Sequence, residues 1–451
     1  PQSPIPNPQS PIPNPQNKEN SQTIINSIKE DEIKTINKNK NEKIKEKSSP
    51  KNKKKYKSNS KSKNNIYPYK SKEKKDVNDI TKLEDEIKKK EKMLKKLNVG
   101  DFENINNLAK SSTNYRADNT FCAFKSIDNI IYLIYPKQVG EKFNSIVTYN
   151  IVDYKVINEI PNAHIEDITN FRHYFDKSNK RDLILSISAK DNNVKLWNIT
   201  NLEFLLNISN INQRGFLKSA CILNHNNQLY IITSNYSHSE NSDPIKVYDL
   251  NGNKIKDINY RNNATFYIGT YFDNDLKTDY IITGNFGYVK SYDYNNNKKY
   301  HKYKESKHMD NYEHHTVIIY KEEDTVNLID TTINGEIRIW DFHSKDLLSK
   351  IKVSDNNYDN LYGMSIWNNN YLFIGCGNSI KLLDLENEEV VSTLIGHKFN
   401  VITIQTVEHP IYGECLVSQD LYNGQIKLWV NKINKFKFLI DELNKKLKDI
   451  L

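Results

Sequence analysis

The stretch Glu336-Ile337-Arg338-Ile339-Trp340-Asp341 decides how this chain is read. Ile337 and Ile339 alternate with a cation, as in a half-buried strand, and an aromatic residue and an aspartate close the run. Asn334-Gly335 precedes it, a pair that tolerates the positive φ of a tight turn. Upstream, Val326–Ile329 reads as a second short strand, so the unit is a hairpin.

The same pattern recurs in both directions. It appears as Asn193-Val-Lys-Leu-Trp-Asn198, Pro244-Ile-Lys-Val-Tyr-Asp249, Tyr288-Val-Lys-Ser-Tyr-Asp293, Ser379-Ile-Lys-Leu-Leu-Asp384 and Gln425-Ile-Lys-Leu-Trp429. A weaker first copy is Ser145-Ile-Val-Thr-Tyr-Asn150. The aromatic slot therefore falls at 149, 197, 248, 292, 340, 383 (Leu383) and 429, with steps of 43 to 51 residues. A period of about 40–50 residues with about four strands per unit predicts a β-propeller, and seven copies predict seven blades. A single blade cannot bury both faces, whereas a ring of blades can.

At these residues the chain resembles the WD-repeat family, over about 116–436. Trp340-Asp341 matches that family's signature dipeptide. Gly396-His397 matches its glycine–histidine pair, with Ala163-His164 and His314-His315 as degenerate versions. The resemblance implies a hydrogen-bonded tetrad of His, Ser/Thr, Asp and Trp within a blade. Carried across, His397, Ser418, Asp420 and Trp429 form one in the last blade, and His164, Ser188, Asp191 and Trp197 one in the second. The fifth blade offers His314 or His315, Thr331 or Thr332, and Trp340, with Asn334 in the Asp position. Closure of the ring is open in sequence. Phe436–Ile440 fits a last outer strand, while Phe436, Ile440, Leu443, Leu447 and Ile450 also fit a helical stripe.

The flanks have another character. The chain opens on Pro-Gln-Ser-Pro, so its native start is expected upstream. A seven-residue repeat, Pro-Gln-Ser-Pro-Ile-Pro-Asn, runs twice from Pro1, and such a stretch is extended or disordered. Residues 1–100 hold 26 of the 65 Lys+Arg and 13 of the 56 Asp+Glu, giving +13. The remainder, 39 basic against 43 acidic, carries −4. The basic character thus belongs to a disordered Lys-rich arm, 1–75, and not to the body. Its densest run, Ser49–Lys57, reads as a nuclear-localisation or phosphate-binding patch and equally as solvated charge.

Residues 76–100 are expected to hold a short amphipathic or coiled-coil helix over 79–97. Thr81 or Asp79 would cap it, Ile80, Leu83, Ile87, Leu94 and Leu97 form its stripe, and Gly100 stops it. That stripe is open to weak self-association, to a partner helix or to the propeller. The expected organisation is an all-β seven-bladed propeller over 116–440 behind the arm and helix, and a helical tail over 441–451.

Chemistry is sparse. No Gly-rich phosphate loop, nucleophile triad or His-Glu-x-x-His helix occurs, so no catalysis and no cofactor are expected. His301, His308, His314 and His315, with Asp310 and Glu313, match no tight zinc spacing, and no metal is expected. Cys122, Cys221, Cys376 and Cys415 lie far apart, which argues against a disulfide framework and for a reducing compartment. Asp191, Asp249, Asp341 and Asp384 recur with the repeat and read as structural. What remains is surface recognition: a cytoplasmic scaffold or adaptor holding a protein or peptide. Arg172, Arg214, Tyr236, Arg261 and Tyr358 are candidate partner contacts on the interblade loops. The alternative is an RNA- or chromatin-associated nuclear factor gripping phosphates with the arm. No membrane partner is expected.

Overall fold

The computed structural model describes residues 70–451. The exceptions are 112–118, 210, 213–214, 235, 237–242, 259–263, 297–299, 306–312, 323–324, 332–334 and 357–360; for 70–77 only the backbone is described. The expected arm, 1–75, lies almost wholly outside these residues.

Seven four-stranded antiparallel sheets form the body, each a meander whose strands are called a to d in spatial order, with a innermost. Blade 2, for example, is Asn170–Asp176, Arg181–Ser188, Asn193–Asn198 and Glu203–Ile208. The quoted repeat is strand c throughout: Lys142–Asn150, Asn193–Asn198, Ile245–Asp249, Val289–Asp293, Glu336–Asp341, Ser379–Asp384 and Gln425–Asn431. Its aromatic slot is buried in every blade, from Tyr149 to Trp429, Leu383 included.

The hydrophobic core is not one mass but seven layers between neighbouring blades. Ile134, Ile146, Ile184 and Trp197 fill the layer between blades 1 and 2. Leu185, Leu196, Ile222 and Tyr248 fill that between blades 2 and 3. The series runs on until Val147, Tyr149, Val417 and Leu428 join blade 7 to blade 1. Each sheet is therefore covered on both faces only because the ring is complete.

The Asp or Asn that follows the slot caps the turn from c to d. Asp341 Oδ1 accepts from His343 N (2.9 Å) and Ser344 N (2.6 Å), and Asp384 Oδ1 from Glu386 N (3.0 Å) and Asn387 N (3.1 Å). Such side-chain acceptors pin a tight reversal, so the aspartate recurs for backbone reasons.

The boundaries differ from expectation at both ends. Strand d of blade 7 comes from the start of the body, not its end: Phe102–Lys110 pairs antiparallel with Gln425–Asn431. The propeller therefore begins at Phe102 and not at 116. Two register shifts, at Asn104/Asn106 and Asn107/Ala109, bend this strand. Its buried apolar residues, Phe102 and Leu108, are six apart and yet pack on opposite sides, Phe102 toward blade 6 and Leu108 toward blade 1.

Phe436–Ile440 is not a strand. Helix α2, Lys432–Ile450, starts directly after blade 7, where the Asn431 side chain accepts from Ile433 N and Asn434 N, so the tail begins well before 441. Helix α1 runs Lys70–Leu94, which puts Asp79 and Thr81 inside it rather than at its cap. Its stripe is covered within the chain: Ile87, with Leu83 and Leu94, packs on Ile440, Leu443 and Leu447 of α2. Gly100 does not stop the helix. It lies against strand d of blade 6, where a Cβ would meet Ser392 Cβ at 2.6 Å.

Candidate functional site

An antiparallel meander places the d-to-a connections and the b-to-c turns on one face of the ring, and the a-to-b and c-to-d turns on the other. The candidate site is on the first face, and buried polar relays hold its loops.

In blade 7, His397 Nε2 lies 2.7 Å from Ser418 Oγ, and Trp429 Nε1 donates to the same oxygen at 2.7 Å. His397 Nδ1 stands 3.5 Å from Asp420 Oδ2. Ser418 thus accepts from Trp429 and donates to the bare Nε2 of a neutral ring, whose Nδ1–H faces Asp420. Burial pushes the His397 pKa down, which keeps the ring neutral. Burial would raise Asp420, but hydrogen bonds from His397 and the Gln425 and Lys398 N–H groups outweigh it and hold the carboxyl low. The relay therefore ties the d-to-a loop to the b-to-c turn. Gly396 gives it room, since a Cβ there would meet Trp429 Cη2 at 3.0 Å.

Blade 2 repeats the arrangement with one correction. The hydroxyl is Ser186 and not Ser188: His164 Nε2 and Trp197 Nε1 each lie 2.8 Å from Ser186 Oγ. Ser186 faces Lys195, two residues from the slot, as Ser418 faces Lys427, whereas Ser188 faces Asn193 at the strand end, a step too far from the indole. His164 Nδ1 lies 3.6 Å from Asp191 Oδ2, which also accepts from Ile165 N (2.9 Å) and Glu166 N (3.1 Å).

Blade 5 departs further. Thr331 does not take the hydroxyl place, since it faces Ile337; Thr332 and Asn334 lie outside the described residues. Asp330 stands there, opposite Arg338. Arg338 Nε and Nη2 donate to Asp330 at 2.9 and 2.7 Å, and Trp340 Nε1 donates at 3.2 Å. His314 Nδ1 is 3.8 Å from Asp330 Oδ2. His314, not His315, is thus the histidine of this relay. The sequence signal for the missed pair was an Asp two residues past the slot's partner, together with Arg where blades 2, 3, 4, 6 and 7 carry Lys.

Above these relays runs an arc of rings. The Tyr236 and Phe266 centroids are 5.2 Å apart, Phe266 and Phe286 6.5 Å, Phe266 and His315 5.1 Å, and His315 and Tyr362 5.9 Å. Tyr362 packs on Ile402 and Leu421, and Phe399 meets Tyr422 at 5.8 Å. The arc spans blades 3 to 7. Phe266 and Tyr362 are buried, while Phe216 (56%), Phe286 (38%), Phe399 (43%) and Tyr422 (55%) stand open. Phe216 and Tyr236 are joined by paired backbone hydrogen bonds, and Lys218 Nζ lies 4.8 Å from the Tyr236 ring.

Of the five candidate contacts, Tyr236 belongs to this arc. Arg172 is not on a loop: it sits half-buried in strand a of blade 2, with Nη2 toward Ser219 Oγ (3.5 Å) and Ile268 O (3.4 Å) and its guanidinium 5.3 Å from the Tyr267 ring. Arg214, Arg261 and Tyr358 lie outside the described residues, as do His308 and Asp310.

His315 Nε2 pairs with Glu313 at 2.9 Å. Among the described residues, no group of three His, Cys, Asp or Glu side chains is placed to hold a metal ion. All four cysteines are buried and free, and burial pushes the Cys122 thiol up to about 12. No helix of the described residues is long and apolar enough to cross a membrane. Neither known protein-family models nor curated proteins provide a match to this chain.

Proposed function

We propose that this protein is a non-catalytic scaffold of the WD-repeat kind, which holds a peptide or protein partner across the aromatic arc. The observation that carries this reading is the run of rings over five neighbouring blades, buried at their bases and open at Phe216, Phe286, Phe399 and Tyr422. Exposed aromatics on a rigid frame give large contact area at small entropic cost, the usual make-up of an interface hot spot. The Lys-rich arm adds a second, electrostatic contact.

The test is affinity capture from the native cell with the full chain and with a Phe216→Ser/Phe286→Ser double variant. One protein retained by the first at moderate salt and lost by the second supports the reading. Equal capture by both removes the arc from the function. If the bound material is instead RNA or DNA, released steeply by salt and lost without residues 1–75, the arm is the functional element.

A further inference from the structure

In blade 5 two cations stand side by side: Arg338 on strand c is paired directly with Lys350 on strand d. Like charges placed opposite each other repel. Three carboxylates answer them. Asp330 on strand b binds Arg338 at 2.7 Å, and Glu305 lies 3.1 Å from Lys350 and 3.9 Å from Arg338. Glu336, at the start of strand c, lies 3.6 Å from Lys350.

Blade 4 repeats the cation pair without those carboxylates. Lys290 on strand c is paired with Lys302 on strand d, Tyr300–Tyr303. Thr283 takes the place of Asp330, opposite Lys290, and Tyr288 takes the place of Glu336. Glu305 follows the same strand d, but Arg338 and Lys350 of blade 5 engage it. Among the described residues, Lys302 has no carboxylate partner, and Lys304 adds a further positive charge beside it.

Tyrosine rings flank these ammonium groups. Lys290 Nζ lies 4.9 Å from the Tyr300 ring and 5.2 Å from the Tyr288 ring, and Lys302 Nζ lies 4.0 Å from the Tyr288 ring. Ring faces attract a cation but carry no net charge to neutralise it. The uncompensated charge shows in the titration of both lysines. Lys290 is pushed down to about 8, first by burial and then by the charge of Lys302, and Lys302 is lowered by burial and by Lys304. Lys302 and Tyr300 are exposed, whereas Lys290 is buried, so the pair is open from the Lys302 side.

An anion from outside the chain would supply what Asp330 and Glu336 supply in blade 5. A dianion matches two ammonium groups better than a single carboxylate does. We propose that Lys290 and Lys302 form a binding site for a phosphate group, with Lys302 as its outer contact and Lys290 as its inner one. The site is independent of the aromatic arc. A phosphorylated peptide and free phosphate offer the same chemistry, and the test separates them.

The experiment follows acetylation of single lysines in the full chain by acetic anhydride at pH 8, read by mass spectrometry. A reading by residue is needed because the Lys-rich arm also attracts anions. The probes are N-acetylphosphoserine methylamide, inorganic phosphate and N-acetylglutamate methylamide. An anion bound at the pair favours the charged amines, so phosphate should slow Lys290 and Lys302 at least about tenfold more than the exposed Lys155 of blade 1, and glutamate should not. Protection at lower concentration by the phosphoserine probe than by inorganic phosphate supports a phosphopeptide ligand, and the reverse order supports free phosphate.

Two variants complete the test, each checked by thermal melting. Thr283→Asp supplies the carboxylate that blade 5 has, and it still accepts from Asn285 Nδ2, which now donates to Thr283 Oγ1 at 2.8 Å. Lys302→Gln removes the exposed cation. Protection of Lys290 should fall at least about tenfold in both. Lys290 protected no more than Lys155 in the native chain overturns the assignment. So does equal protection by glutamate and phosphate, or undiminished protection in a Lys302→Gln chain that melts like the native one.

Discussion

Asp330 and Arg338 face each other across strands b and c of blade 5, joined by hydrogen bonds of 2.9 and 2.7 Å, with both side chains wholly buried. A buried pair gains little over an apolar one, but a single survivor is left charged in a dry site. Arg338→Met is expected to cost about 3–5 kcal/mol in urea unfolding. The double change Asp330→Ser/Arg338→Lys recreates the serine and lysine of blades 2 and 7 and should recover most of that loss. A double variant no better than the single one would show that blade 5 depends on the ion pair itself.

Trp340, 3% exposed, lies against Tyr303 with centroids 6.2 Å apart. Trp340→Ala is expected to destabilise the propeller by about 3–5 kcal/mol, as for a buried aromatic. A loss under about 1 kcal/mol would contradict its place in the core.

Removing the hydroxyl of Ser418 leaves the buried Trp429 N–H and the His397 ring without their shared partner. Ser418→Ala should cost about 1–3 kcal/mol. Amide exchange should also speed up in the loop around Gly396–Phe399, while the far side of the ring is unaffected. Uniform acceleration around all seven blades would mean that the relay does not act locally.

Acid should weaken the fold in two stages. His164, His173, His397 and His409 all have pKa values pushed below the ordinary 6.5, first by burial. As pH falls through that value, the unfolded chain takes up protons that the folded one refuses, so stability is complete above it and declines below. Asp176, Asp191 and Asp420, held below 3.8, add a second decline further down. Urea midpoints measured from pH 8 to pH 4 should fall steadily once pH drops under 6.5. A midpoint that rises between pH 6.5 and 5 would contradict the neutral histidines.

Phe102 seats the closing strand: its ring meets Trp367 at 5.0 Å and Phe373 at 5.1 Å, both in blade 6. Phe102→Ala is expected to cost about 3–5 kcal/mol. A chain starting after Lys110 should lose the single cooperative melt of the full protein. A sharp melt in that truncation would show that three strands suffice for blade 7.

The architecture was legible because strand c is the most regular part of each blade: its cation, apolar pair and slot fall in a fixed order, so the count of seven could be read from spacing. Elements whose register depends on pairing were not legible. Phe102–Lys110 hides its alternation behind two bulges, and two serines compete in blade 2 until the partner of Trp197 is known. The place of Asp330 opposite Arg338 is set by strand pairing, which the repeat of strand c does not itself reveal. The arc could not be read linearly, since Phe216, Phe266, Phe286 and Tyr362 converge from strands and loops of separate blades. Arg172 lies on strand a, which carries none of the markers that make strand c readable.

The closing strand also fixes when the ring can finish. Asn104 donates to Leu428, 324 residues further along. During synthesis, Phe102–Lys110 emerges ahead of the other propeller strands and finds its mate only once Gln425–Asn431 has been translated. Until then, blade 1 and the nascent last sheet each expose an apolar flank to water or to helper proteins. Completion is thus a slow, long-range event, and arrested or shortened transcripts should yield sticky open arcs rather than smaller rings.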